Sequence, residues 1–239
     1  MTPQRFIREE ALLGPEAMAR LSASHVAVFG LGGVGSWAAE ALVRGGIGTL
    51  TLVDFDTVSE SNLNRQLFAL TSTLNRPKAL AAADRAKDIN PEIRVFPRVE
   101  RYDRETRDSL LSRDYDYILD AIDIVTSKLD LIQSAHTLGI PIISCLGTGN
   151  RLSAEGFRVS DISETREDPL ARVIRKELRK RGILHTAVLW SPDPALIPSD
   201  TGEEPPQGRR SIPGSVSWVP SAAGLALAGH VIRALAGVD

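Results

Sequence analysis

The sequence has one cysteine, Cys145, among 239 residues. That excludes an intrachain disulfide and a zinc site built from cysteine pairs within one chain. A dominant charge is also missing: 28 Lys and Arg face 30 Asp and Glu, a formal net charge of −2. No global field therefore draws in nucleic acid or a membrane, and any such contact has to be a local patch. No apolar run is expected to reach membrane-spanning length. No internal repeat is found, and the first ten residues carry no apolar signal core, so a cytoplasmic protein is expected. His25, His136, His185 and His230 show no ligand spacing and read as structural.

The length suits one large α/β domain, or one domain with a lobe attached. Its organising stretch runs from His25 to Asp56. His25–Phe29 is a short apolar run rich in β-favouring residues and reads as a buried strand. Gly30, Gly32, Gly33 and Gly35 follow in G-L-G-G-V-G-S, and Trp37–Val43 continues as a helix. Such glycines let the backbone turn sharply and approach a phosphate, while the new helix aims free N–H groups and its positive dipole end at the anion. Thr49–Val53 is a second strand, ending in Asp54-Phe55-Asp56. An acid about 20 residues past the glycines is placed to accept hydrogen bonds from ribose hydroxyls. The unit binds a nucleotide, but a dinucleotide fold would show the same pattern.

Ahead of it, Pro15–Leu21 reads as a short helix preceded by Arg5 and Arg8. Beyond Asp56 lies a polar segment with Asn62, Asn64, Arg65 and Gln66. An arginine there can hold a phosphoryl group bidentately and amides can fix its oxygens, or the segment is an ordinary polar loop. Asn75-Arg76-Pro77-Lys78 opens a helix, placing Lys78 where the helix dipole already attracts anions. Strands are expected at Arg94–Val99, Tyr115–Ile122 and Pro141–Leu146, with helices at Arg104–Leu111 and Thr126–Leu138. Asp123, just past the fourth strand, could hold magnesium bridging phosphate oxygens or cap the next helix. Cys145, near the end of a buried strand, reads as an inert core thiol.

The second half, from about residue 151, changes character. Phe157–Ile162 and His185–Trp190 read as strands. Between them Asp168-Pro169 starts a helix with Leu170, Val173, Ile174 and Leu178 on its apolar face. Arg172, Arg175, Lys176, Arg179, Lys180 and Arg181 lie on the other face against one acid, Glu177. That face is either simply solvated or a contact for phosphate backbone. Ser191–Gly214 is proline-rich loop carrying Arg209 and Arg210, too long to be idle: a mobile active-site flap or a disordered segment. A small-residue helix, Ser221–Leu235, follows.

In order and spacing, G-L-G-G-V-G-S, L-V-D-F-D-x-V, S-N-L-N-R-Q, R-P-K and D-A-I-D resemble the adenylating domain of the ubiquitin-activating-enzyme-like superfamily. The resemblance runs from about Arg5 to the end. It implies a doubly wound, mostly parallel Rossmann-like sheet with a smaller C-terminal α+β portion, a homodimer, and ATP with magnesium rather than NAD. Residues 1–150 would then form the ATP-binding region and 151–239 a substrate-binding and dimerisation portion of the same domain. By motif, Asp56 would bind ribose; Asn62, Arg65, Gln66 and Lys78 would hold the triphosphate; Asp123 would hold the metal. Arg8 matches an arginine that enters the neighbouring subunit's site.

D-P-L-A-R-V-I-R-K-E-L-R-K-R-G-I, V-L-W-S-P-D and G-S-V-S-W-V-P-S-A-A-G-L resemble the branch that dehydrates threonylcarbamoyladenosine in tRNA. The paired zinc cysteines usual in the sulfur-carrier branch are missing, so no zinc is expected. The resemblance leaves room for a monovalent cation and for a sulfur-transfer partner, and implies no membrane. The substrate's threonyl carboxylate would be adenylated with loss of pyrophosphate, and an internal nitrogen would then close a ring and expel AMP. Three other readings stay open: an adenylyltransferase acting on the C-terminal glycine of a small ubiquitin-like sulfur carrier, a dehydrogenase, and an RNA-binding module on an inactive nucleotide fold.

Overall fold

The computed structural model describes residues 2–199, 202 and 213–238. Seven strands form one sheet: β1 (His25–Phe29), β2 (Thr49–Val53), β3 (Arg94–Arg98), β4 (Tyr117–Asp120), β5 (Ile142–Cys145), β6 (Arg158–Asp161) and β7 (Ala187–Trp190). Their spatial order is β3-β2-β1-β4-β5-β7-β6. All neighbours pair in parallel except β6, which runs antiparallel to β7. The helices are α1 (Ile7–Leu13), α2 (Pro15–Ala23), α3 (Gly35–Arg44), α4 (Lys78–Ile89), α5 (Arg107–Leu110), α6 (Val125–Leu138), α7 (Pro169–Lys180) and α8 (Trp218–Ala236).

Successive strand residues point to opposite faces, and both faces are covered. Val26 and Val28 pack with residues of α2, α3, α4 and α8, whereas Ala27 and Phe29 pack with those of α5, α6 and α7. Two-sided burial explains why the central strands read as continuous apolar runs rather than alternating ones. Pro97 is tolerated because β3 is an edge strand. The expected doubly wound, mostly parallel α/β sheet is the architecture found, and β7 and β6 extend it beyond residue 150.

Three expectations need correcting. A helix at Ile7–Leu13 precedes the expected one; it buries no residue, so it left no amphipathic signal. The helix expected at Arg104–Leu111 is a single turn, Arg107–Leu110. Finally, α8 has 19 residues of mean hydropathy 1.3, long and apolar enough by composition to cross a membrane. Its small, apolar residues have a packing reason here. A Cβ on Gly224 would lie 2.3 Å from the carbonyl oxygen of Val34, so glycine lets α8 press against α3. On α8 itself Val219, Ala223, Leu227, Ala228 and Val231 are buried.

Strand order reverses between β1 and β4, since β1 leads through α3 to β2 on one side while β4 flanks it on the other. The crevice beyond the carboxyl ends of strands at such a switch point is where open α/β sheets bind ligands.

Candidate active site at the carboxyl ends of the strands

The glycine turn leaves β1 into this crevice. Gly30 has φ +88°, and its N–H donates to the Val53 carbonyl at 2.8 Å. A Cβ on Gly30 would sit 2.7 Å from the Ala121 carbonyl oxygen, and one on Gly35 would sit 1.8 Å from that of Gly30. These two glycines serve close packing. Gly33 lies under Pro220 of α8, while Gly32 has nothing nearer than Gln66 Nε2, at 3.9 Å, leaving room on that side. No side chain caps α3; the Ser36 N–H donates to the Gly32 carbonyl at 3.1 Å, and the other first-turn N–H groups and the dipole remain for an anion.

Asp54 braces the turn. Its Oδ2 accepts the Leu31 N–H at 2.6 Å and its Oδ1 accepts that of Asp56 at 2.8 Å. Burial holds this carboxyl above its usual range, although Lys78 pulls the other way. Asp54 is therefore committed to main chain, and the acid presented outward is Asp56. The Asp56 side chain is half exposed and accepts from Lys78 Nζ at 2.9 Å, while Lys78 itself is almost wholly buried. A short bridge between Thr57 and Pro77 and the Lys78 N–H bond to the Asp56 carbonyl at 2.9 Å bring these two distant residues together.

The Asn62–Gln66 segment closes the same crevice. Asn62 is buried, its Oδ1 accepting the Ser59 N–H in a reciprocal cap. Asn64 Oδ1 accepts from Arg65 Nη1 at 2.9 Å, and its Nδ2 donates to the Ser215 carbonyl at 3.1 Å. Arg65 also donates to the Ser61 carbonyl at 2.8 Å, and partial burial lowers its pKa. Trp37 Nε1 donates to the Arg65 carbonyl, and the Leu67 N–H to Ser36 Oγ, both at 3.1 Å. These bonds hold the segment against α3. The structure thus gathers Gly32, Gly33, Asp56, Asn64, Arg65, Gln66 and Lys78 around one crevice.

Asp123 is exposed in the loop after β4. Ile124 is the N-cap residue of α6, and its own side chain makes no capping bond. Among the described residues, no group of three or more His, Cys, Asp or Glu could hold a metal ion. A single outward carboxylate still fits magnesium carried on nucleotide phosphates, which takes one or two carboxylates from protein. Arg8 is not brought to this crevice. Phe6 packs beside Gly46, in the turn before β2, and Arg5 donates to Asn90 Oδ1 at 2.6 Å before β3. The arginine-bearing α1 therefore lies at the amino ends of the strands. Burial pushes the Cys145 thiol up to about 12, so it stays protonated at neutral pH.

Two buried arrangements escaped the sequence reading. Asp120, the last residue of β4, pairs with Lys128 Nζ at 2.7 Å, both fully buried, and also accepts the Ile122 N–H. The signal was an acid ending an apolar strand, which needs a partner. Arg151 is the other. It donates to the carbonyls of Gly147 (3.1 Å), Ser191 (3.3 Å) and Asp193, and lies 3.6 Å from Asp168 Oδ2. Asn150 grips both feet of the long loop, with its N–H on the Gly214 carbonyl at 2.8 Å and its carbonyl accepting from Leu196 at 2.7 Å. The centre of that loop, with Arg209 and Arg210, lies outside the described residues.

The model of the ThiF family matches residues 5–239. The chain belongs to the ThiF family. A Bacillus subtilis (strain 168) protein named tRNA threonylcarbamoyladenosine dehydratase is 41% identical over 97% of this chain and 94% of its own length. The solved structure of Escherichia coli tRNA N6-threonylcarbamoyladenosine dehydratase in complex with ATP matches with a TM-score of 0.88 at 32% identity, over 98% of this chain and 94% of that one. A Salmonella typhimurium molybdopterin-synthase adenylyltransferase is 39% identical, but over only 54% of this chain and 51% of its own.

Proposed function

We propose that this ThiF-family protein is an ATP-dependent dehydratase that cyclises threonylcarbamoyladenosine in tRNA. The observation that carries the proposal is the near end-to-end match to a relative of that name. The adenylyltransferase likeness, by contrast, covers only 54% of this chain. Residues 1–150 would hold ATP, and 151–239 the tRNA and part of a dimer interface.

In the first step a carboxylate oxygen of the substrate attacks the α-phosphorus of ATP. The bond to the β-phosphate oxygen breaks and pyrophosphate leaves. In the second, a nitrogen of the same substituent attacks the activated carbonyl carbon, loses its proton, and displaces AMP; the oxygen of the lost water leaves in AMP. Such chemistry needs charge neutralisation and alignment rather than a protein nucleophile. Asp56 would receive the ribose, the free start of α3 and Gln66 the phosphates, and Arg65 and Lys78 the charge that develops at phosphorus. Magnesium, held through the nucleotide and Asp123, would neutralise further phosphate charge. No thiolate is required, in keeping with a protonated Cys145.

The position of α1 supports an arginine acting between two copies of this chain. In a homodimer, Arg8→Ala is expected to lose turnover, and mixing it with a Lys78→Ala variant is expected to restore part of it, because hybrids contain one intact composite site. No recovery in mixed dimers would show that Arg8 does not act across the interface. The function itself is tested by pyrophosphate release. Release should require tRNA carrying threonylcarbamoyladenosine, and release that instead followed a small protein with a Gly-Gly tail would replace the proposal.

A further inference from the structure

We propose that the outer face of α7 is a rail for the phosphate backbone of the RNA substrate, an inference that rests on the tRNA reading above. The helix buries Ala171, Ile174 and Leu178. Val173, expected inside, is 47% exposed, and Ala171 takes its place.

The cations of this helix do different things. Arg175 donates to the Thr165 carbonyl at 2.7 Å and to Thr165 Oγ1, fastening α7 to the preceding loop. Lys180 and Arg181 both turn to Glu177, at 2.6 and 3.4 Å. The side chains of Arg172, Lys176 and Arg179 are exposed and, among the described residues, make no hydrogen bond or ion pair. At positions i, i+4 and i+7 they fall on one stripe. The stripe is about 10 Å long, roughly the axial reach of three phosphates on one strand.

A merely solvated face would mix signs or pair its charges, and other helices here do so. Arg44 and Arg85 share Glu40, and Arg107 holds Asp130. Among the described residues, α7 is the one helix with three unpaired cations in line. Its first turn is also fixed to the reaction end of the fold. Asp168 accepts the Ala171 N–H at 2.9 Å and lies beside Arg151, which holds the chain just past β5 and β7. The rail therefore starts near the site and leads away from it, as an RNA strand would leave a base held in the crevice.

The test is tRNA binding by the R172Q/K176Q/R179Q variant across a salt series, with Lys87→Gln on α4 as a control, and thermal melts to confirm folding. Each lost phosphate contact should remove about 0.9 from the slope of log affinity against log salt, so the slope should flatten by about 2 to 3 units. ATP affinity should hold, and the control should keep the parent slope. A triple variant with the parent's affinity and slope overturns the rail. Turnover of the parent on modified tRNA, measured in the same series, keeps the two claims apart. Turnover with an unchanged variant slope sinks only the rail, and a flattened slope without parent turnover sinks only the dehydratase reading.

Discussion

Lys78→Ala is expected to lower turnover by about 100-fold while weakening ATP binding by less than about tenfold. Lys78 is a cation held almost wholly inside the protein, its ammonium 2.9 Å from the half-exposed Asp56 carboxylate. A fixed charge in a poorly solvated position interacts more strongly with charge developing in a transition state than a hydrated one does. It is also positioned before reaction, by the Asp56 pair and by the start of α4, so little reorganisation opposes it. The fold should survive, because removing Lys78 leaves an Asp56 that water can reach. Single-turnover measurement of AMP formation, beside an ATP titration, separates the two effects. Parent-like turnover and binding together would remove Lys78 from the site; weaker ATP binding with parent-like turnover at saturating ATP would make it a ground-state contact.

The second large effect is on stability. Asp120→Asn keeps an oxygen for the Ile122 N–H but leaves Lys128 as a buried cation without a counter-charge. Breaking such a pair by removing one partner costs about 3–5 kcal/mol. At about 2–4 °C per kcal/mol for a chain of this size, melting should fall by roughly 6–20 °C. Adding Lys128→Met should recover much of the loss, since a pair replaced as a unit leaves no orphaned charge. A single variant melting within about 1 °C of the parent would show that the Asp120–Lys128 pair contributes little to stability.

The parts of this site that were legible in the sequence are those whose geometry is local. The turn from Gly30 to Gly35 lies between an apolar strand and a helix, and contiguous residues dictate it. Asp56 and Lys78 could be nominated singly from their places at a strand end and a helix start. Their pairing across 22 residues depends on the Thr57–Pro77 bridge, which no periodicity reveals. The resemblance named Asp56 for ribose, but the spacing alone did not separate it from Asp54; the backbone path decides that Asp54 braces the turn and Asp56 faces out. Arg175 looked like its neighbours on α7 until the Thr165 loop folded beneath it. Arg151 left no trace at all, because its partners are carbonyl groups on loops brought close only by the sheet. α1 was missed because it buries nothing, so burial imposed no pattern on its residues.

The most direct measurement is nucleoside analysis of tRNA carrying threonylcarbamoyladenosine, before and after incubation with the protein and ATP. The account predicts that the modified adenosine loses the mass of one water, that AMP and pyrophosphate appear in equal amounts, and that NAD in place of ATP gives nothing. An unchanged nucleoside in the presence of ATP and folded protein would contradict it.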